Sequence, residues 1–150
     1  MAEVSTLQSP LESRGRFVTL RLKPGEEVLQ SLQDFVTAQG YGAVAIVTVV
    51  GSLTRAFIRY ANQPQGALRE GHFEICSMTG TIEAAGGGGA HVHIALSDGK
   101  GAMFGGHMLP GCRVYTTAEV VLLILDDVAF SREDCPASGY PELVITQGKN

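Results

Sequence analysis

The sequence predicts an α+β fold: a mainly antiparallel β-sheet with one long helix. Three observations predict this class. A single stretch near the N-terminus carries apolar residues at helical spacing and ends at Gly40. One segment with β-pattern precedes it, and about six follow it. Strands that follow one another, rather than alternating with helices, are typical of an antiparallel α+β domain.

The first elements follow from local patterns. Arg16 to Leu22 alternates and is rich in β-formers, so it predicts the first strand. Pro24-Gly25 then turns the chain. The helix begins at Glu26-Glu27, whose negative charges suit the positive end of a helix.

The rest of the chain is predicted as strands. Ala43 to Val50 is a nearly continuous apolar run, which predicts a central strand buried on both faces. Gly51-Ser52 interrupts it, and the strand resumes at Leu53 to Tyr60. The other predicted strands are His72 to Gly80, a histidine-bearing hairpin, Val114 to Leu125, and a short last strand at Leu143 to Thr146.

Composition limits the classes of function. The 150 residues predict one domain at 14–147, with flexible ends at 1–13 and 148–150. No apolar run is long enough to span a bilayer, and the polar N-terminus lacks a signal sequence, so we expect an intracellular, cytoplasmic protein, with the nucleus left open and no membrane partner. Three cysteines without a C-x-x-C pair predict free thiols.

The net charge of −4, without a cluster of Lys or Arg, disfavours DNA as the principal partner. Binding to duplex DNA draws most of its affinity from cations placed on phosphates. DNA therefore stays an alternative rather than the first choice.

Three of the four histidines, His91, His93 and His107, fall within one predicted hairpin. Imidazole nitrogens are good ligands for zinc and similar ions, and three protein ligands with one position left for water are typical of catalytic zinc. Residues two apart in a strand share a face, at roughly 6.6 Å between Cα atoms, so His91 and His93 point the same way. We leave His72 as a surface or core-edge residue.

The position of His107 depends on the turn around Asp98. A loop with an odd number of residues returns His107 to the face of His91, opposite or diagonal to it, whereas a two-residue loop places it on the other face. Gly105-Gly106 marks either a bulge, which would shift the facing by one residue, or a close backbone approach. The sequence predicts a divalent-metal site, with zinc as the expected ion, provided that the histidines converge.

Five motifs in order resemble one known family. They are Gly51 to Tyr60, Gly71 to Ile82, His91-x-His93, Gly105 to Gly111 and Thr117-Ala-Glu119. The chain resembles the plants-and-prokaryotes conserved domain over about Arg16 to Thr146, and its plant members carry an AT-hook and bind AT-rich DNA in the nucleus. The resemblance implies a homotrimer of the prokaryotic type, with the three histidines near a subunit boundary and acting as metal ligands.

Weaker candidate sites complete the set. Arg55 could hold an anionic group of a substrate or form an ion pair. Glu119 could be a general base, orient a histidine, or pair with an arginine across a subunit interface. Cys112 is predicted as a buried small residue rather than a fourth ligand. Arg14-Gly15-Arg16 lacks the proline of an AT-hook and precedes a strand, so we interpret it as a chance match.

A homotrimeric metal-binding domain that acts on an unknown small molecule is the first hypothesis. A single helix covers only part of the predicted sheet, so another copy of the chain is expected to bury the remainder. The alternatives are a DNA-binding regulatory module, like the plant relatives, and a scaffold for other proteins. Whether the protein is an enzyme stays open at this point.

Overall fold

The computed structural model describes residues 10–84 and 89–148. Most of the predicted N-terminal tail and three residues of the Gly86-Gly89 segment lie outside these ranges. The elements in chain order are β1 Gly15–Leu22, α1 Val28–Gln39, β2 Val44–Arg59, β3 Ala67–Glu83, β4 Gly89–Ser97, β5 Met103–Met108, β6 Arg113–Leu125, β7 Val128–Cys135 and β8 Tyr140–Gln147.

The main sheet has six antiparallel strands in the order β1-β6-β2-β3-β4-β5. β5 also pairs with β2, through Ile58 opposite Met108 and Arg59 opposite His107. Strands β2 to β5 therefore form a closed ring, and β6 and β1 extend the sheet beyond it. The predicted α+β class with an antiparallel sheet is confirmed.

The helix is shorter than predicted. It has 12 residues, which is an average rather than a long helix. The Glu27 side chain caps its start by accepting a hydrogen bond from the Gln30 amide, and Gly40 ends it with a left-handed φ of 68°. Its buried face joins the main core through Val28, Leu29, Leu32 and Val36.

The prediction that the central strand is buried on both faces is wrong. Val47 and Val50 in β2 are 48% and 60% exposed, whereas Val44 and Ile46 are buried. The helix covers only one side of the sheet, so the outward-pointing valines have no cover among the described residues. The strand also continues through Gly51-Ser52, where its register with β6 shifts instead of breaking.

A second, two-stranded sheet contains β7 and β8. The sequence predicted only the end of β8 and no strand at β7. Val128 and Phe130 from β7 pack with Ala43 in a small separate core. In the described part of the chain, no helix has the length and apolar character needed to cross a membrane.

Candidate metal centre

The turn between β4 and β5 sets the facing of the histidines. The connection runs from Asp98 to Ala102, which is an odd number of residues. The Asp98 carboxylate fixes it by accepting hydrogen bonds from the amides of Lys100 at 2.8 Å and Ala102 at 3.0 Å. His107 consequently lies directly opposite His93 and diagonal to His91, as the loop-parity argument predicts.

The glycines before His107 allow a close approach of strands rather than a bulge. The β4–β5 register is continuous from His93 to Ser97, so no residue is inserted. A Cβ at Gly105 would overlap the carbonyl oxygen of Ile94, and one at Gly106 would lie 2.7 Å from the carbonyl oxygen of Arg59. The small residues therefore let β5 pack between β4 and β2, which places His107 beside its two partners.

The three imidazoles converge on the outer face of the closed ring of strands β2 to β5. One ligand nitrogen from each of His91, His93 and His107 lies within 4.8 Å of the others, and the Nε2 atoms of His91 and His93 are 3.3 Å apart. Two nitrogens that are each about 2.0–2.1 Å from one tetrahedral zinc ion lie roughly 3.3–3.4 Å apart. The same distance fits an N–H···N hydrogen bond between neutral rings, and both arrangements require an unprotonated nitrogen.

The surroundings favour the neutral, ligating form of two of these rings. Partial burial lowers the pKa of His91, and the neighbouring His93 and Arg132 charges lower it further. Partial burial also lowers the pKa of His107, with a second contribution from Arg59, its cross-strand neighbour on β2. Protons therefore compete less with a metal ion at this cluster than at an isolated histidine.

An ion pair that the sequence analysis missed lies beside His91. Glu83, at the end of β3, is only 1% exposed, and its Oε1 accepts a hydrogen bond from Arg132 Nε of β7 at 2.9 Å. Arg132 also donates to the Thr81 hydroxyl at 3.2 Å. Since Arg132 lies in a strand that the sequence did not predict, no local pattern pointed to this pair.

The structure does not bring Glu119 to the histidines within one chain. Glu119 is exposed on β6, opposite Val50 of β2 and Arg21 of β1. Val50 precedes Arg59 by nine positions in β2, which is roughly 30 Å at about 3.3 Å per residue. A catalytic role for Glu119 next to the histidine cluster therefore needs a second subunit.

Arg55 lies closer to the cluster but does not join it. It shares the outer face of β2 with Arg59, roughly 13 Å away at about 3.3 Å per residue, and its cross-strand neighbours are Glu70 and Arg113. Its Nε is buried without a hydrogen-bond partner among the described residues. That orphaned donor keeps the anion-binding prediction for Arg55 open.

Cys112 and His72 stand outside the cluster. Cys112 is fully buried, with its sulfur 3.2 Å from the Phe57 amide nitrogen, and burial raises the pKa of its thiol to about 11. It is a buried thiol, as predicted. All three cysteines are free. His72 is exposed and its ring stacks on Tyr115 at 4.2 Å between centroids.

Comparison with known proteins identifies the family. Residues 11–126 match the Plants and Prokaryotes Conserved (PCC) domain. The chain belongs to this family. A hypothetical protein of Salmonella cholerae-suis has a solved structure that is 44% identical to this chain, with a TM-score of 0.87, covering 91% of this chain and 97% of that one. The resemblance inferred from the five motifs is confirmed.

Other relatives of this conserved domain carry it inside longer proteins. The bifunctional protein GlmU of a Synechococcus strain is 40% identical over 87% of this chain, and the match spans 20% of GlmU. The AT-hook motif nuclear-localized protein 4 of Arabidopsis thaliana is 31% identical over 58% of this chain and 22% of its own length. The chain thus spans about a fifth of these curated relatives. A metal-containing protein of Archaeoglobus fulgidus shares the fold at 24% identity, with a TM-score of 0.78 over 91% of this chain and 99% of that one.

Proposed function

We propose that this protein is a metal-binding domain in which His91, His93 and His107 hold one divalent, zinc-like ion. The observation that carries the proposal is the 3.3 Å separation of the His91 and His93 Nε2 atoms, with His107 directly across the strand pair. The third nitrogen lies within 4.8 Å of the other two, so it needs to approach them by at most about 1.5 Å to reach tetrahedral spacing. An archaeal protein of the same fold is described as metal-containing, which gives a precedent for a metal in this fold.

An ion held by three imidazoles on an exposed sheet face keeps a position for water or a substrate atom. Such an ion polarises a carbonyl or activates water, which suits hydrolytic or lyase chemistry on a small molecule. The chain's own residues would bind and orient that molecule, because His91 and His107 line a cleft of ≈ 470 Å³. The arrangement supports hydrolytic or lyase catalysis.

Metal content measured on protein purified without a histidine tag tests the proposal. We expect one zinc-like ion per chain in the wild type and loss of that ion in His107→Ala, with an unchanged circular dichroism spectrum. His72→Ala is the matched control, because His72 lies outside the cluster, and it should keep the metal. A wild type that binds no zinc supplied in excess, at about pH 7.5 where imidazoles are neutral, contradicts the proposal.

We further propose that the domain works as a homotrimer. The outer face of β1, β6 and β2 exposes Phe17, Val47 and Val50, at 69%, 48% and 60%. Single exposed apolar residues are ordinary, but three on a sheet face that no other described element covers favour a partner surface, and a second copy of this chain is the simplest one. Light scattering should give about three times the 15.9 kDa of the chain. Val50→Lys should lower that mass, and a monodisperse wild-type monomer contradicts the trimer.

DNA binding is the second candidate, favoured by the AT-hook motif relatives of Arabidopsis. Two observations weigh against it. The chain carries a net charge of −4, and both arginines of the Arg14-Gly15-Arg16 match are engaged, Arg14 with Asp127 and Arg16 with Asp126, each at 2.8 Å. Each guanidinium group would therefore have to leave its ion pair to enter a minor groove.

Fluorescence anisotropy with AT-rich and GC-rich duplexes decides between the candidates. We expect no binding tighter than roughly 10⁻⁵ M at physiological salt, the range of non-specific association. Nanomolar, AT-selective binding that weakens steeply with salt would establish the DNA-binding function instead. Trimerisation could align Arg55, Arg59 and Arg69 of three subunits, so the assay uses the assembled protein.

A further inference from the structure

A cleft of ≈ 470 Å³ separates the histidine face from the β7–β8 sheet. The charged and histidine side chains that line it are those of Arg59, Glu83, His91, His107, Arg132 and Glu142. This volume is in the usual range of small-molecule sites, roughly 300–1,000 Å³. Arg59, His91 and His107 also line an adjoining recess of ≈ 260 Å³. A ligand in the cleft would therefore touch two of the three proposed metal ligands.

The two cations of the cleft have different partners. Arg132 is neutralised by the buried carboxylate of Glu83 at 2.9 Å and is further held by Thr81. The half-buried Arg59 forms no ion pair or side-chain hydrogen bond with any residue in the described ranges. A partly desolvated guanidinium without an acceptor gains most from a carboxylate or phosphate, whose geometry its planar fork matches. The free positive charge of the cleft is therefore at Arg59, next to His107.

We propose that this cleft binds the oxyanion group, carboxylate or phosphate, of a small substrate, with Arg59 as the anchor beside the metal centre. The proposal rests on the metal-binding function, because the metal would act on the atoms adjacent to the anchored group. Glu142 lines the cleft and a neighbouring recess together with His91, so its negative charge repels an anion from that end. The oxyanion is thereby directed to the Arg59 end of the cleft.

A buried acceptor in the same wall also fits a bound molecule. The Glu83 Oε2 atom is buried and has no hydrogen-bond donor among the described residues. A buried acceptor without a donor is unfavourable, and a hydroxyl or amino group of a ligand would supply that donor. This observation is independent of Arg59 and involves a different side of the cleft.

Titration calorimetry with acetate, inorganic phosphate and neutral acetamide tests the proposal on wild type, Arg59→Gln, Glu142→Gln and Lys100→Gln. Lys100→Gln is the charge-matched control, because Lys100 is exposed in the β4–β5 turn outside the cleft. We expect at least one anion to bind the wild type. Its affinity should be about tenfold or more lower in Arg59→Gln, as for loss of a hydrogen bond to a charged group, and unchanged in Lys100→Gln. Glu142→Gln should bind as tightly or more tightly.

The tighter of the two anions assigns the group as carboxylate or phosphate. Equal anion affinity of Arg59→Gln and wild type overturns the proposal, as does equal binding of acetamide or the absence of binding by either anion. Metal content is measured on the same samples, and each titration is repeated on metal-free protein. Arg59-dependent anion binding in a wild type that takes no metal would uphold the anion site and refute the metal function, so the two failures are distinguishable.

Discussion

Replacing Gly80 by alanine tests how closely β3 packs against β4, the strand that carries His91 and His93. Gly80 lies in β3 opposite Val92, with a φ of 156°, in a region that almost only glycine adopts. A Cβ there would overlap the His91 carbonyl oxygen and lie 2.7 Å from the Val92 Cα. Both neighbours are backbone atoms, so the clash is relieved only if β4 moves away from β3.

The magnitude follows from two contributions. A strained backbone conformation costs about 1–3 kcal/mol, and a forced shift of packed structure costs about 1–3 kcal/mol more. We therefore expect the free energy of unfolding of Gly80→Ala to be lower by about 2–6 kcal/mol, which lowers Tm by roughly 5–20 °C for a chain of this size. Because β4 carries His91, metal affinity should fall as well.

Urea and thermal unfolding, followed by circular dichroism at one protein concentration, measure this effect. Gly99→Ala is the control, because nothing lies within 4 Å of a Cβ at that turn position, and its free energy of unfolding should stay within about 0.5 kcal/mol of wild type. If Gly80→Ala also stays within about 0.5 kcal/mol, the close approach of β3 and β4 described above is refuted.

Three further predictions concern the core, a thiol and pH. Leu32→Ala should lower the free energy of unfolding by about 2–5 kcal/mol in urea titrations, because Leu32 is fully buried. Cys112, with a thiol pKa of about 11, should resist a thiol reagent such as DTNB at mildly alkaline pH while the exposed Cys76 reacts. Because the folded-state pKa is raised, the contribution of Cys112 to the free energy of unfolding should be lost as pH rises from about 9 towards 11. The folded-state pKa values of His91 and His107 are lowered, so the unfolded chain takes up protons first as pH falls. The free energy of unfolding of the metal-free protein should therefore decrease as pH drops below about 6.5. Metal affinity, measured by competition titration, should fall at lower pH still.

The facing of the histidines was predictable from sequence because it depends on local geometry. Strand alternation places His91 and His93 on one face, and the parity of a short loop places His107. The loop length and the bulge suggested by Gly105-Gly106 were the open points, and the odd-numbered loop and the continuous β4–β5 register decided them. Nothing in the hairpin sequence indicates that β5 also pairs with β2.

Long-range contacts explain what the sequence did not predict. Arg132 and Glu83 are 49 residues apart, and β7 has the segment Ser131-Arg132-Glu133-Asp134, which lacks strand alternation. Its pairing with β8 and the small core around Phe130 stabilise it instead. The exposed valines of β2 were predicted as buried because a β-branched run carries no sign of which face the helix covers.

The second pairing of β5 has a consequence for motion. His107 is bordered by β4 on one side and by β2 on the other, so separating this end of the strand means breaking its pairing with both neighbours. Amide hydrogen exchange at this end of β5 should therefore be slow, in the range of global rather than local opening. The proposed metal ion, entering from the solvent side, would meet a binding surface that is already formed, so its capture and release would leave the strands in place.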